Sequence, residues 1–234
     1  MIDVFVTNLG KYNEGELCGE YLKLPAEKED VQALLSSIGV DGVLYEEFFI
    51  TDYDCDIDGL CDRLGEYESL DELNYLAYLL EYMDEWDIPK FEAALKLGEH
   101  TSSVMGLINL AQNLDGYEFY PDVENEADLG RFFADEVGTL EIPEHLEAYI
   151  DYEAYGRDIY LDGGGMFTSS GYIFESGDSF IEHYDGRDVP EEYRIFAYPD
   201  PPDKMPMREQ LEMFGKMAER ASGAERPAPA RMER

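Results

Sequence analysis

IDVFVTNLGKYNEGELCGEYLKLPAEKEDVQALLSSIG (2–39) is the stretch that decides the fold class. IDVFVT (2–7) alternates in hydrophobicity and is rich in β-branched residues, which predicts a strand. Gly10, Asn13 and Gly15 then break the chain, which turns back through LCGEYLKL. After Pro25, AEKEDVQALLSSIG predicts a helix ended by Gly39. EEFFITDY (46–53) reads as another strand, so residues 1–64 make a small α+β unit.

Residues 65–114 read as helical. Ser69 and Glu72 have capping-box spacing ahead of Leu70, Leu73, Leu76, Leu80 and Met83, which recur at helical intervals. Pro89 suits the first position of a helix over PKFEAALKLG, and TSSVMGLINLAQNL predicts a further amphipathic helix. Residues 115–180 return to mixed character. GYEFY predicts a strand and EADLGRFFADEVG a helix with Gly138 past its end. IPEHLEAYIDYEAYGRD predicts a helix from Pro143 to Gly156, and DIYLDGGGMFTSSGYIFES a hairpin with a Gly-rich turn. Residues 181–234 form an extension with a further strand at YRIFAY (193–198), then a Pro-, Ala- and Arg-biased tail read as a flexible appendage.

Charge is the strongest compositional signal. The 234 residues include 54 Asp and Glu against 17 Lys and Arg, a net charge of −37. Two copies would carry about as many negative charges as the phosphates of roughly 37 base pairs. Residues 201–234 are slightly basic, so the excess lies in the part that reads as folded. Apolar residues at 44% and aromatics at 13% are too many for a disordered acidic chain. The acidity argues against nucleic acid and anionic membranes as partners, and favours proteins that bind nucleic acid. A halophilic surface and a calcium-linked protein remain as alternatives at this point.

No segment has the length of a membrane span, and MIDVFVTNLGKYNEGE lacks the features of a secretory signal. Cys18, Cys55 and Cys61 are odd in number, which argues against a disulfide framework or a zinc site and suits a reduced, cytoplasmic protein.

Little points to catalysis. In DCDIDGLCDRLGE (54–66), Asp54, Asp56, Asp58 and Gly59 match the start of a calcium loop, but Gly65 stands where its bidentate Glu belongs and Glu66 comes one residue late. The preceding segment reads as a strand where such a loop needs a helix. No metal or cofactor is therefore expected. Gly163–Gly165 lack the partners of a phosphate loop. His100, His145 and His183 lie in no catalytic motif, and Tyr149, Tyr152 and Tyr155 are spaced as a packed helix face. The chain is read as a non-enzyme.

Three segments carry a resemblance. VTNLGKYNEGEL (6–17), EEFFITDYD (46–54) with LGEYESLDELN (64–74), and IPEHLEAYIDYEAYGRDIYL (142–161) resemble the ArdA-type antirestriction proteins over about residues 4–175. The resemblance implies a non-enzymatic mimic of duplex DNA, carried on mobile genetic elements, that blocks type I restriction–modification enzymes at their methyltransferase core. It also implies an elongated α+β chain of three small domains in series, here 1–64, 65–114 and 115–180, forming a homodimer through the last. An acidic mimic aimed at another DNA-binding protein is the nearest alternative. Carboxylates standing in for phosphates are expected in three clusters. The first is Glu14, Glu16 and Glu20. The second is Asp52, Asp54, Asp56, Asp58 and Asp62 with Glu66 and Glu68. The third is the polar face with Asp71, Glu72, Glu81, Asp84 and Glu85.

Overall fold

The structure, a computed structural model, describes residues 2–199, so the tail at 201–234, expected to be a flexible appendage, lies outside the described residues. β1 (Ile2–Asn8) is the central strand of an antiparallel sheet ordered β2–β1–β3, flanked by β2 (Gly19–Leu24) and β3 (Phe48–Cys55). A single turn, α1 (Leu9–Asn13), makes the first return. Ile2, Val4, Val6, Leu22 and Leu24 are buried against α2 (Lys28–Ile38), which contributes Val31, Leu34, Leu35 and Ile38. That spacing is the apolar stripe of an amphipathic helix. Strand alternation sends Phe5, Tyr21, Asp52 and Asp54 to the other face of the sheet. A register shift beside Phe5 and Val6 breaks the alternation in β3, and Phe49 and Ile50 are both buried.

α3 (Leu70–Glu81), α4 (Asp87–Leu97) and α5 (Val104–Ala111) follow. One apolar core runs from the first sheet and α2 through these helices to Tyr117, Ile173, Tyr184, Val189 and Ile195. The second sheet is ordered β4–β6–β5, from β4 (Tyr117–Tyr120), β5 (Met166–Thr168) and β6 (Gly171–Glu175). α6 (Glu126–Arg131) and α7 (Tyr152–Gly163) cover it over a smaller core of Val123, Leu129 and Tyr172, ringed by phenylalanines. The described residues thus form an α+β fold with seven α-helices and two small antiparallel sheets.

α6 and α7 cross at their glycines. A Cβ on Gly130 would overlap the carbonyl of Tyr152, and one on Gly156 the carbonyl of Glu126. Gly156 therefore sits inside α7 as the point of closest approach, not at its end. The helix expected over 143–156 is instead a 3-10 segment at 144–149, a break at Ile150, and α7 capped by Asp151 and ended by Gly164 at φ 65°. Gly163–Gly165 belong to that helix end and its exit, and the β5–β6 hairpin turns at Ser169 and Ser170 instead. α4 starts at Asp87, two residues before Pro89.

The cysteine reading also needs correcting, since Cys55 and Cys61 are joined in a disulfide that closes the acidic loop after β3. Parity over three cysteines hides a pair only six residues apart. Cys18 is free.

Residues 193–198 form no strand. After a 3-10 turn at Glu191–Tyr193 they belong to an irregular strap, 180–198, held by side chains of the helices. Asn109 accepts from the backbone N–H groups of His183 and Tyr184 and donates to the Tyr184 carbonyl. Asn113 makes the matching pair of bonds to Ile181. Asn74 donates to the Tyr193 carbonyl while accepting from Ala26 N–H, between β2 and α2. Tyr193 stacks on Tyr75 with ring centroids 4.3 Å apart. At the far end, Tyr198 donates to the Glu46 carbonyl and accepts from Gln32, so the strap reaches the first sheet and its helix.

Candidate interaction surface

The acidic residues expected to contact a partner are placed by three kinds of backbone. Glu14 and Glu16 follow α1, and Glu20 lies on β2. These three do not share one face. Glu14 accepts from the Tyr45 hydroxyl at 3.0 Å, while Glu20 turns toward α2 and accepts from Ser37. Asp52 and Asp54 lie on the open face of the first sheet, where Tyr21 donates to Asp52 at 2.6 Å. That hydrogen bond, more than any other cause, holds the Tyr21 hydroxyl above its ordinary pKa.

Asp56 and Asp58 follow in the disulfide-closed loop, Asp62 comes just after it, and Glu66 and Glu68 lie in the chain leading to α3. Ile57 and Leu60 are buried and pin this loop to the core. Asp58 forms an ion pair with Lys96 at 2.8 Å, and its backbone N–H donates to Glu92. Glu68 caps the turn by accepting from Gly65 N–H. Among the described residues no group of three His, Cys, Asp or Glu side chains is placed to hold a metal ion.

On α3 the structure divides the third cluster. Glu81, Asp84 and Glu85 are exposed at and beyond the helix end. Asp71 and Glu72 are half-buried because the strap covers them. Asp71 accepts from the N–H groups of Ile195 and Phe196, both at 2.7 Å. Glu72 accepts from the Tyr184 hydroxyl at 2.9 Å. The capping box is accordingly one-sided: Ser69 accepts from Glu72 N–H, but the Glu72 carboxylate serves the strap. Helical periodicity marks these two residues as solvent-facing because it carries no information about a segment arriving from more than a hundred positions downstream. Asp3 is an acidic residue that the sequence reading passes over. It pairs with Asp54 across the ladder, and its Oδ1 is buried without a hydrogen bond.

The tyrosines give the fold an alkaline limit. Burial, then the neighbouring Glu175 and Glu99, push the Tyr117 hydroxyl up to about 12. Burial and the bond to Glu72 raise Tyr184 as well, and burial raises Tyr53. A tyrosine held above its unfolded pKa keeps its proton in the native state after the unfolded chain has lost it. Stability should therefore fall as pH rises from 10 to about 12. Melting temperatures across that window check this, and Tyr117→Phe should flatten the decline. An identical decline in that variant would contradict the assignment.

Fold and surface together define a class: acidic α+β proteins that present carboxylates to solvent over much of the chain. Residues 4–174 match the family model for the antirestriction protein ArdA, and the chain belongs to that family. Antirestriction is the function this membership carries. No curated protein matches the chain. The family match stops before the strap.

Proposed function

We propose that this protein mimics duplex DNA and occupies the DNA-binding groove of type I restriction–modification enzymes at their methyltransferase core. It acts by occupancy, without chemistry of its own, in the cytoplasm where those enzymes meet incoming DNA. The observation that carries the reading is the exposure of Asp52, Asp54, Asp56, Asp58, Asp62 and Glu66 on one continuous stretch from β3 into the loop, in a chain of net charge −37. A groove built for phosphates draws much of its affinity from charge neutralisation and counterion release, independent of sequence. A carboxylate surface exploits that affinity while offering no base sequence. Enzymes of differing target specificity should therefore be inhibited alike.

Competition tests this directly. Purified protein is added to a type I methyltransferase core bound to labelled DNA, at two salt concentrations. Stoichiometric displacement that weakens as salt rises supports mimicry, because exposed charges are screened over ~8 Å at physiological ionic strength. Displacement that tracks one recognition sequence would sink it. Self-repulsion among the same carboxylates costs stability, so added salt should also raise the melting temperature. A melting temperature insensitive to salt would show the charges to be better dispersed than this account requires.

The working form is a homodimer joined through the 115–180 region. Val137, Leu140, Leu146, Tyr149 and Leu161 are exposed there, beside an apolar groove of 390 Å³ between α7 and β6 that includes Phe133, Ile159 and Phe174. So much exposed apolar surface in so acidic a chain fits a buried contact between copies. Tyr149, 83% exposed, and Leu161, 70% exposed, are the residues to change. Tyr149→Asp with Leu161→Asp should give a folded monomer by sedimentation, and an unchanged dimer would move the interface elsewhere.

A further inference from the structure

The chain contains one tryptophan, and the fold leaves it outside. Trp86 is 77% exposed at the turn between α3 and α4, where it occupies the N-cap position of α4 without a capping side-chain bond. Neither helix needs an aromatic residue there. Exposing a large ring costs the hydrophobic gain that burial would return. Asp84 and Glu85 precede it and Asp87 follows.

The ring lines a groove of 630 Å³ between this turn and β4. Phe119 and Pro121 supply further apolar wall, and Glu85 and Glu118 supply carboxylates. Lys90 is the basic residue of the lining, so the carboxylates outnumber it. Aromatic wall with flanking carboxylates is the complement of a guanidinium group. The ring face attracts a cation, and a carboxylate accepts the planar fork of N–H donors. An ammonium makes the charge contact but lacks the flat face that stacks.

We infer that the Trp86 groove is a docking site for an arginine side chain of the protein partner, adding a short-range contact to the long-range carboxylate attraction. This rests on the DNA-mimic reading, in which the partner presents a basic, phosphate-binding groove. Arginine is the residue such grooves use for bidentate phosphate contacts. It is also, with tryptophan, among the residues that dominate binding at protein interfaces.

The test uses the full chain and two blocked peptides of equal charge, tetra-arginine and tetra-lysine. Both should bind through general charge, but the arginine peptide should perturb Trp86 emission, which has no other tryptophan to mask it. The Trp86→Ala variant should reduce the arginine-over-lysine affinity ratio by about fivefold. Glu118→Gln, which leaves the ring in place, should reduce the same ratio in the same direction. An arginine peptide that leaves the emission unchanged, or a ratio that survives Trp86→Ala, overturns the assignment. Trp86 is exposed, so its removal should not unfold the chain, and circular dichroism of each variant verifies that.

A second arm separates this inference from the reading beneath it. Against a type I methyltransferase core, Trp86→Ala should raise Kd about fivefold while leaving the slope of log Kd against log salt unchanged. A parallel loss of slope would mean that Trp86 acts only by arranging the carboxylates, and would overturn the stacking contact. A core that ignores the wild-type protein refutes the DNA-mimic reading, and the peptide measurements then decide the groove by themselves.

Discussion

Reversing Asp54, Asp62 and Glu66 together to Lys should nearly abolish inhibition of a type I enzyme. All three are exposed, and none holds another element in place through a bond described above. Each exposed charge contact is worth ~0.2–1 kcal/mol, so a single Ala change should weaken binding by about twofold. Triple reversal removes three attractions and adds three repulsions. At about 0.4 kcal/mol each, that is roughly 2–3 kcal/mol, or about 30- to 160-fold in Kd. The melting temperature should hold or rise, since self-repulsion falls. Glu81, Asp84 and Glu85 offer an independent triple at and beyond the far end of α3. Asp71→Ala belongs in neither set: it should destabilise the strap and report on folding more than on binding. A single exposed carboxylate whose loss abolished inhibition would indicate a specific pocket in place of a distributed surface.

The second large effect is a loss of structure from one methyl group. Gly156→Ala should cost ~3 kcal/mol or more, at the upper end of overpacking penalties, because what the added Cβ meets is the Glu126 carbonyl, which cannot rotate away. α6 and α7 must separate for it to fit, and the small core of Val123, Leu129 and Tyr172 opens with them. The first sheet and α3–α5 belong to the larger core and should remain. Hydrogen exchange should therefore show lost protection in 126–163 alone, and sedimentation should show loss of the dimer proposed above. Gly130→Ala should reproduce the effect from the other helix, whereas Gly138→Ala, with open space around it, should spare this crossing. Uniform loss of protection throughout the chain would mean that the two cores unfold as one.

How far the sequence could be read follows from where each piece of information lies. β1 and α2 were legible because their alternation and their apolar stripe, Val31, Leu34, Leu35 and Ile38, are local patterns. The exposure of Asp54, Asp62 and Glu66 was legible because an isolated carboxylate stays in water by default. What failed depends on distant contact. Gly156 looks like a helix stop until Gly130 is known to lie against it. YRIFAY looks like a strand because it is rich in aromatic and β-branched residues, yet its backbone bonds go to the side chains of Asp71 and Asn74. The Cys55–Cys61 pair escapes both parity and short-motif spacing: three cysteines still allow one bond, and six residues separate these two. Trp86 gave no signal in the linear pattern, because a tryptophan is ordinarily a core residue and only the fold leaves it in solvent.

The strap sets an order of events during synthesis. Asn109 waits 75 residues for Tyr184, and Asp71 waits 124 for Ile195. At ~5–20 residues per second the second interval is roughly 6–25 s, during which Asp71 lacks its native N–H donors. The first sheet and helices can gather before the strap that locks them, 180–198, has been made. Slowing elongation through the 180–198 codons should lengthen the interval in which these helices lack their strap.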